Sequence, residues 1–506
     1  MTTRIDALLD RITMYRLVLY LLIGYVGIAA VLAGFGLLPF SPLALLISSV
    51  FLVGMCWAAN TLLARILDVP TNVESAFITA LILALIIDPP RSADDLQLLG
   101  WAAILAMSSK YILGINNKHV FNPAAIAVVI TAFALGEPAS WWVGAAPMLP
   151  AVLLGGLLVV RKLRQESMAG AFLAAALATV VVASIVQHTP LAREVEQLVV
   201  ASPLLFFASI MLTEPLTAPP TKRLKMLYGV LTGVLIVPQI HLGLLYSTPE
   251  LALVVGNVFA YLVSSKRRAV LSLKKRSRLS PDIFDFVFTP SQRLAFLPGQ
   301  YLEATLAHQN PDSRGVRRYF TVASSPTEDT IHLGVRFYER GSSFKRALRA
   351  MTNRTRLIGG PIAGDFVLPR DRTRKLVFIA GGVGVTPYRS MLKYLLDTGE
   401  RRDIVVFFAT RTAADIVYQD VLTEAQRRLG IKMIYTLTDT AAIPNNWPGG
   451  KGRISEQMIV EAAPDYRERT FYISGPPAMV NATERVLKNL GIGKSQIKRD
   501  DFPGLV

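Results

Sequence analysis

The stretch YLVSSKRRAVLSLKKRSRLS, residues 261–280, divides the chain into two kinds of sequence. Seven of the fifteen residues from Ser264 to Arg278 are Lys or Arg. Before the junction, residues 1–265 hold 14 Lys+Arg against 13 Asp+Glu; after it, residues 266–506 hold 39 against 23, so the basic excess belongs to the second half. Runs of this density also occur in nucleic-acid-binding segments. Here the run directly follows an apolar stretch, so Lys266 to Arg268 read as a stop-transfer signal, and Lys274 to Arg278 as the start of a soluble domain attracted by anionic headgroups. No nucleic-acid partner is expected.

Moving back from the junction, apolar runs recur at about 17–38, 42–63, 75–87, 97–114, 122–136, 146–160, 170–187, 198–212, 226–240 and 249–265. Lipid leaves backbone groups no partner but their own helix, so these predict a polytopic α-helical membrane domain of about ten helices. Arg4, Arg11 and Arg16, Arg65, Lys110 and Lys118, Arg161 to Arg164, Lys222 to Lys225 and the junction cluster all fall on one side of that topology. The positive-inside rule then places both termini in the cytoplasm and the chain in the inner, cytoplasmic membrane. The N-terminal segment carries acids among its arginines and lacks a small-residue cleavage site, so it is expected to be retained. A single cysteine, Cys56, rules out an intrachain disulfide and an all-cysteine iron–sulfur cluster, which needs four thiolates.

Two segments share a pattern: SAFITALILALIIDPP (75–90) and SPLLFFASIMLTEPLTAPP (202–220) each run from Ser through a short apolar stretch to an acid and prolines. Five helices separate them, which predicts an inverted repeat with broken helices near the midplane. Taken singly, Asp88-Pro89-Pro90 and Glu214-Pro215 merely end helices. A third element, NNKHVFNPAA (116–125), places amides and a proline before a short helix.

FNPAAIAVVI, MLTEPLTAPPTKRLKMLYGVLTGVL and LALVVGNVFAYLV together resemble the membrane subunits of two related complexes, the sodium-translocating NADH:quinone oxidoreductase and the Rnf complex. That resemblance implies flavin in the membrane domain, with Asn117, Phe121, Asn122, Thr213, Glu214 and Thr217 as candidate contacts for a non-covalent FMN or riboflavin. Those relatives attach a flavin to Thr in a Ser-Gly-Ala-Thr type motif, and no Gly-Ala-Thr occurs here. Covalent FMN is therefore not carried over. In the corresponding outer segment, GEPASWWVGAAP (136–147), Trp141 and Trp142 read as an interfacial aromatic belt.

Moving forward from the junction, residues 269–370 contain short alternating runs such as FDFVF and IHLGVRF between Pro and Gly turns, predicting an antiparallel β-barrel. Residues 374–506 change pattern: KLVFIA, DIVVFFA, KMIYTL and TFYIS are apolar strands alternating with helical segments, predicting a doubly wound α/β domain with a nucleotide site at the strand C-termini. The first parallel strand enters AGGVGVTPYRSMLKYLL, and TFYIS enters GPPAMV, two glycine turns at one sheet edge. RRYFTVASSP (317–326) offers a cation, a ring and a hydroxyl, GSSFKRAL (341–348) a Ser-capped helix start, and GGPIAGDFVLP (359–369) closes the barrel.

In this order these five motifs resemble the ferredoxin–NADP reductase superfamily over about residues 270–506. The match implies that Arg318, Phe320, Thr321 and Ser324 bind FAD, with Ser342 and Ser343 on its pyrophosphate. Gly382, Gly384, Thr386 and Pro387, with Gly475, Pro476 and Met479, would hold NAD(P)H, and Thr321 and Ser474 would be the catalytic residues. Arg411, just after strand VVFFAT, reads equally as a contact for a 2′-phosphate or as a solvated loop residue, so the coenzyme stays NAD(P)H. Three departures stand out: Phe320 replaces the usual Tyr, Ser474 the frequent Cys, and DDFPGLV lacks a C-terminal aromatic, with Leu505 in its place.

The expected function is a membrane-bound NAD(P)H dehydrogenase that takes hydride onto FAD and passes electrons through a flavin-binding membrane domain to a quinone or an outer-face acceptor protein. Two other readings stay open, a transporter or redox-coupled ion pump bearing a reductase domain, and a haem-type transmembrane reductase. The last is disfavoured because the membrane half offers only His119, His188 and His241, on different sides of the predicted topology.

Overall fold

The computed structural model describes residues 9, 12–67, 73–92, 95–115, 118–243, 245–264, 268–312, 315–339 and 341–500, and the side chains of all of these except 115, 118, 119, 242 and 245. The chain divides into two compact units after Ser264.

The N-terminal unit repeats one series of elements. Its first copy comprises α1 (Met14–Gly34), α2 (Pro42–Ile66), short α3 (Val73–Ile86), α4 (Asp95–Ile112), the hairpin β1–β2 (Gly114–Ile115, Lys118–His119) and α5 (Pro123–Leu135). The second comprises α6 (Leu149–Leu163), α7 (Glu166–Gln187), α8 (Leu191–Val200), short α9 (Leu204–Phe206) running into a π-helical turn (Phe207–Met211), α10 (Lys222–Leu235), the hairpin β3–β4 (His241–Leu242, Leu245–Tyr246) and α11 (Pro249–Val263). In both copies the short helix packs on the first, the helix before the hairpin packs on the second, and the last packs on the helix before the hairpin. Among the described α-helices only α8 lacks a counterpart.

Hydroxyl or amide caps start several of these helices: Thr13, Ser41, Asn122, Thr221 and Thr248 each accept a backbone N–H, and Pro follows at 42, 123 and 249. Among the described residues four helices are long and apolar enough to cross a membrane, or five if the pair Leu191–Val200 and Leu204–Met211, bent by 55°, is one span. Val73–Ile86, Pro123–Leu135 and Pro249–Val263 are apolar but shorter.

Two sequence expectations change here. Residues 188–197, left between the apolar runs 170–187 and 198–212, form most of α8, because Leu191, Val195, Leu198 and Val199 recur at helical spacing. Trp141 and Trp142, read as an interfacial belt, are buried to 5% and 7% exposure. The Trp142 indole N–H donates to the carbonyls of Ala84 (3.1 Å) and Ile87 (3.0 Å), and the Trp141 backbone N–H to Ile86 O (2.9 Å). The prolines after α3 end the helix, and the Trp141–Trp142 segment satisfies its orphaned carbonyls.

The C-terminal unit begins with a six-stranded antiparallel sheet ordered β8-β7-β10-β5-β6-β9. Its strands are β5 (Ala269–Arg278), β6 (Ile283–Pro290), β7 (Tyr301–Thr305), β8 (Arg317–Thr321), β9 (Ile331–Arg336) and β10 (Arg356–Ala363), with α12 (Ser343–Arg349) between β9 and β10. Ala323 N–H donates to His332 O at 2.9 Å, linking the edges near β8 and β9 and curling the sheet toward a barrel. The inward positions Leu271, Phe286, Phe288, Leu302, Leu333 and Leu357 fill it.

A six-stranded parallel sheet follows, ordered β14-β13-β12-β11-β15-β16. It comprises β11 (Leu376–Gly381), β12 (Ile404–Thr410), β13 (Lys432–Leu437), β14 (Gly450–Lys451), β15 (Thr470–Ser474) and β16 (Ile497–Arg499), with helices α13 (Thr386–Thr398), α14 (Gln419–Leu429), α15 (Glu456–Ala462) and α16 (Pro477–Asn489). Every residue of β11, β12 and β15 is buried, as expected of central strands covered on both faces.

Candidate active site

The edge strand β8 carries the first part of the site. Pairing with β7 sets Phe320 opposite Leu302 and Thr321 opposite Tyr301, so Arg318 and Phe320 share one face while Thr321 lies on the other. The Arg318 guanidinium lies 5.4 Å from the centroid of the Phe344 ring, and Phe320 packs against the same ring at 5.9 Å. Beside them the Asp312 carboxylate sits 3.7 Å from Arg318 Nη2 and accepts the Ser343 N–H at 2.9 Å. A carboxylate thus already stands where a cation and the α12 N-terminal amide converge. That donor set suits a diphosphate, and the Phe320 ring beside it suits a planar ring system.

The serines divide their roles. Ser342 caps α12, its Oγ accepting the Lys345 N–H. Ser343 Oγ accepts the Asp312 N–H at 2.9 Å and lies 3.0 Å from His308 Nε2. Ser324 is fully buried: its Oγ accepts the His332 N–H and its carbonyl accepts the Ser390 hydroxyl, so it ties the barrel to β9 and to α13.

At the C-terminal edge of the parallel sheet the two glycine turns touch. A Cβ on Gly384 would lie 2.5 Å from Ser474 O, and one on Gly475 would lie 2.7 Å from Met479 Sδ and 3.1 Å from Gly381 Cα. Gly382 has φ +55°, a left-handed conformation that glycine adopts freely. Thr386 Oγ1 donates to Val383 O, and Pro387 follows in the first turn of α13. Arg411, just beyond β12, is 71% exposed at its side chain and 3.7 Å from Asp439.

Asp500 joins the two domains, and sequence reasoning missed it. Strand β16 carries it to the end of β15, where its N–H donates to Ile473 O at 3.0 Å. Its Oδ2 accepts the Ser474 hydroxyl at 2.9 Å and the Thr321 hydroxyl at 3.4 Å. The two residues expected to be catalytic, one from each domain, therefore converge on one half-buried carboxylate. Burial pushes the Asp500 pKa up to about 6, while the two hydroxyls pull it down. No motif marks this acid; its signal was only a carboxylate after the last strand.

A second buried network holds barrel and parallel sheet together. Arg389 on α13 donates through Nη1 to Ala323 O (2.9 Å) and Glu328 Oε2 (2.6 Å), and through Nη2 to Glu328 Oε1 (3.0 Å). Tyr418 donates to Asp285 Oδ1 at 3.1 Å, and Asp285 Oδ2 lies 2.8 Å from His332 Nδ1.

Residues 270–365 match the family described as the oxidoreductase FAD-binding domain, and residues 378–485 the oxidoreductase NAD-binding domain. The C-terminal half is a ferredoxin–NADP reductase-like FAD- and NAD-binding oxidoreductase module. The chain is similar to the glycine betaine monooxygenase reductase subunit of Pseudomonas aeruginosa, 27% identical over 229 residues, covering 44% of this chain and 60% of the relative. It is also similar to the xylene/toluene monooxygenase electron transfer component of Pseudomonas putida, 28% identical over 50% of this chain and 69% of that one. NADH-cytochrome b5 reductase 1 of Ajellomyces capsulatus is 26% identical over 47% and 81%. Among solved structures, the Amycolatopsis cytochrome P450 reductase GcoB superposes with a TM-score of 0.41 at 25% identity, covering 47% of this chain and 70% of that one. The chain spans about 60% of the length of the first of these relatives.

The N-terminal unit has its own buried polar centre. Asn122 caps α5 and donates through Nδ2 to Glu214 Oε2 at 2.9 Å, and Thr217 Oγ1 donates to the same oxygen at 3.3 Å. Asn257 Oδ1 accepts the Asn122 N–H at 2.8 Å, and Asn257 Nδ2 donates to Tyr228 OH at 3.1 Å. Of the six candidates in the N-terminal half, Asn122, Glu214 and Thr217 thus come together, while the Thr213 hydroxyl turns back to Ser209 O. Phe121 is half-buried beside Asn122, and Asn117, like Leu505, lies outside the described residues. Tyr228 and Asn257 were not singled out from sequence, since each is one polar residue on a separate apolar helix.

Proposed function

We propose that the protein is a membrane-bound NAD(P)H dehydrogenase of the cytoplasmic membrane, its C-terminal half on the cytoplasmic side, delivering electrons through the N-terminal half to a quinone or an outer-face acceptor. The observation that carries this reading is the convergence of Thr321, from the FAD-binding domain, and Ser474, from the NAD-binding domain, on Asp500. A hydride donor and acceptor held by these two domains would meet beside that triad.

Arg318 and the α12 N-terminus would hold the FAD diphosphate, Phe320 would lie along its ring system, and Thr321 would present a hydroxyl to its edge. Bound FAD supplies the conversion of two-electron hydride chemistry into one-electron steps. Gly384 and Gly475 admit close backbone approach, so that Gly382, Gly384, Thr386, Pro387, Gly475, Pro476 and Met479 would seat the nicotinamide nucleotide. Arg411 would serve a 2′-phosphate, although Asp439 beside it also suits a ribose hydroxyl, so either coenzyme fits. Asp500 holds or releases a proton near pH 6 and orients both hydroxyls.

In the N-terminal half, the resemblance to the membrane subunits of the sodium-translocating NADH:quinone oxidoreductase and the Rnf complex, the repeated element order and the Asn122–Glu214 centre support an inverted-repeat domain of about ten crossings with a non-covalent flavin. Acid release and chromatography of cofactors from the purified full-length protein tests this. FAD together with FMN or riboflavin supports the whole reading; FAD alone would remove the membrane-half flavin and leave the reductase.

A further inference from the structure

The barrel of the C-terminal unit carries a surface cluster of six cations, on β5, β10 and the segment before β10, that have no carboxylate within ion-pair distance among the described residues. We propose that this cluster docks on the anionic phospholipid headgroups of the bilayer. Its members come from neighbouring strands and the segment between them: Lys274, Lys275 and Arg276 on β5, Arg349 at the end of α12, Arg354 in the following turn and Arg356 on β10. All six are exposed. Strand β10 pairs with β5, setting Arg356 opposite Ser272, two residues before Lys274. A register shift between Leu273 and Lys275 sets the extra residue Lys274 beside Lys275 against Val287 of β6. Arg276 donates to the carbonyl of Arg349, joining the end of α12 to the strand.

Other cations of the unit, Arg427, Arg453 and Arg485 among them, also have no ion pair among the described residues, but acids lie near them in sequence, at Glu424, Glu456 and Glu484. In the parallel-sheet domain Arg389, Arg402, Arg428, Arg469 and Arg499 each lie within 4.0 Å of a carboxylate. In the barrel cluster none of the six does so among the described residues. Sequence explains why: no Asp or Glu occurs from 251 to 281 or from 341 to 364. Mutual repulsion of this kind is relieved by a polyanion, and β5 begins six residues after the last apolar helix ends, so the nearest extended anionic surface is the bilayer. An acidic redox protein is the competing occupant, but chain connectivity favours the membrane.

The inference rests on the membrane assignment of the N-terminal half, and the test separates the two. Full-length protein is placed in nanodiscs of phosphatidylcholine alone or with phosphatidylglycerol, and lysine acylation is followed by mass spectrometry. Failure to enter nanodiscs would contradict the membrane assignment. In discs that do form, phosphatidylglycerol should slow acylation of Lys274 and Lys275 by about threefold or more, high salt should restore it, and Lys451 and Lys488 should not change. Equal rates in both lipids would overturn the proposal. So would protection that appears only when a soluble acidic redox protein is added.

Discussion

Ser474 donates its hydroxyl to Asp500 at 2.9 Å, across the gap between two adjacent parallel strands. Thr321 reaches the same oxygen from the barrel at 3.4 Å, so one carboxylate reports on both domains.

The raised pKa of Asp500 makes stability depend on pH with a definite sign. The folded value of about 6 lies above the ordinary 3.8, so between these the folded protein keeps a proton that the unfolded chain has lost. Stability should fall as pH rises from about 4 to about 6, by about 3 kcal/mol in all, and stay lowered above that. The D500N variant should lose this limb in thermal denaturation of the C-terminal unit followed from pH 4 to 8.

Hydride transfer should carry the same signature. In wild-type protein the pre-steady-state rate of flavin reduction should titrate near the Asp500 pKa, and D500N should be flat there and slower by about 100-fold. Because the Ser474 hydroxyl lowers that pKa, S474A should move the titration upward. A profile unchanged in both variants would separate Asp500 from the chemistry.

Gly384 tests the nucleotide turn. A methyl group there would meet Ser474 O at 2.5 Å, backbone against backbone, and neither strand end yields cheaply. G384A should cost about 2 kcal/mol and raise the KM for NAD(P)H while FAD content, measured by acid release, stays near normal.

Arg389 tests the joint between barrel and sheet. R389A takes the forked donor from Glu328, which keeps the Ser325 N–H, and the donor from Ala323 O, and should destabilise the unit by about 3 kcal/mol, read as a lower denaturation midpoint. R389K should recover little, since an ammonium cannot supply the forked pair.

In the N-terminal half, N122A removes a helix cap, worth about 1 kcal/mol, and the amide on Glu214. FMN or riboflavin content should drop with FAD retained; both retained would place any membrane flavin elsewhere.

Legibility followed how local each feature was. Alternation in FDFVF and the unbroken apolar runs of β11, β12 and β15 state their own environments, so barrel and parallel sheet could be read directly. The glycine turns were readable because close approach leaves few residue choices. Asp500 was not, since it meets Ser474 only when β16 adds itself beside β15. Asn257 and Tyr228 were hidden for the same reason, each being one polar group on an apolar helix that finds its partner through tertiary packing. Trp141 was misplaced because a tryptophan near a helix end suits an interface, whereas here its indole donates to buried Glu250 at 2.8 Å.

The most direct test of the central claim is anaerobic addition of NADH and of NADPH to purified full-length protein, with its long-wavelength flavin absorbance followed in a stopped-flow instrument. The band should bleach rapidly with at least one coenzyme, and much more slowly in D500N. Protein that retains FAD yet shows no bleaching with either coenzyme would contradict the account.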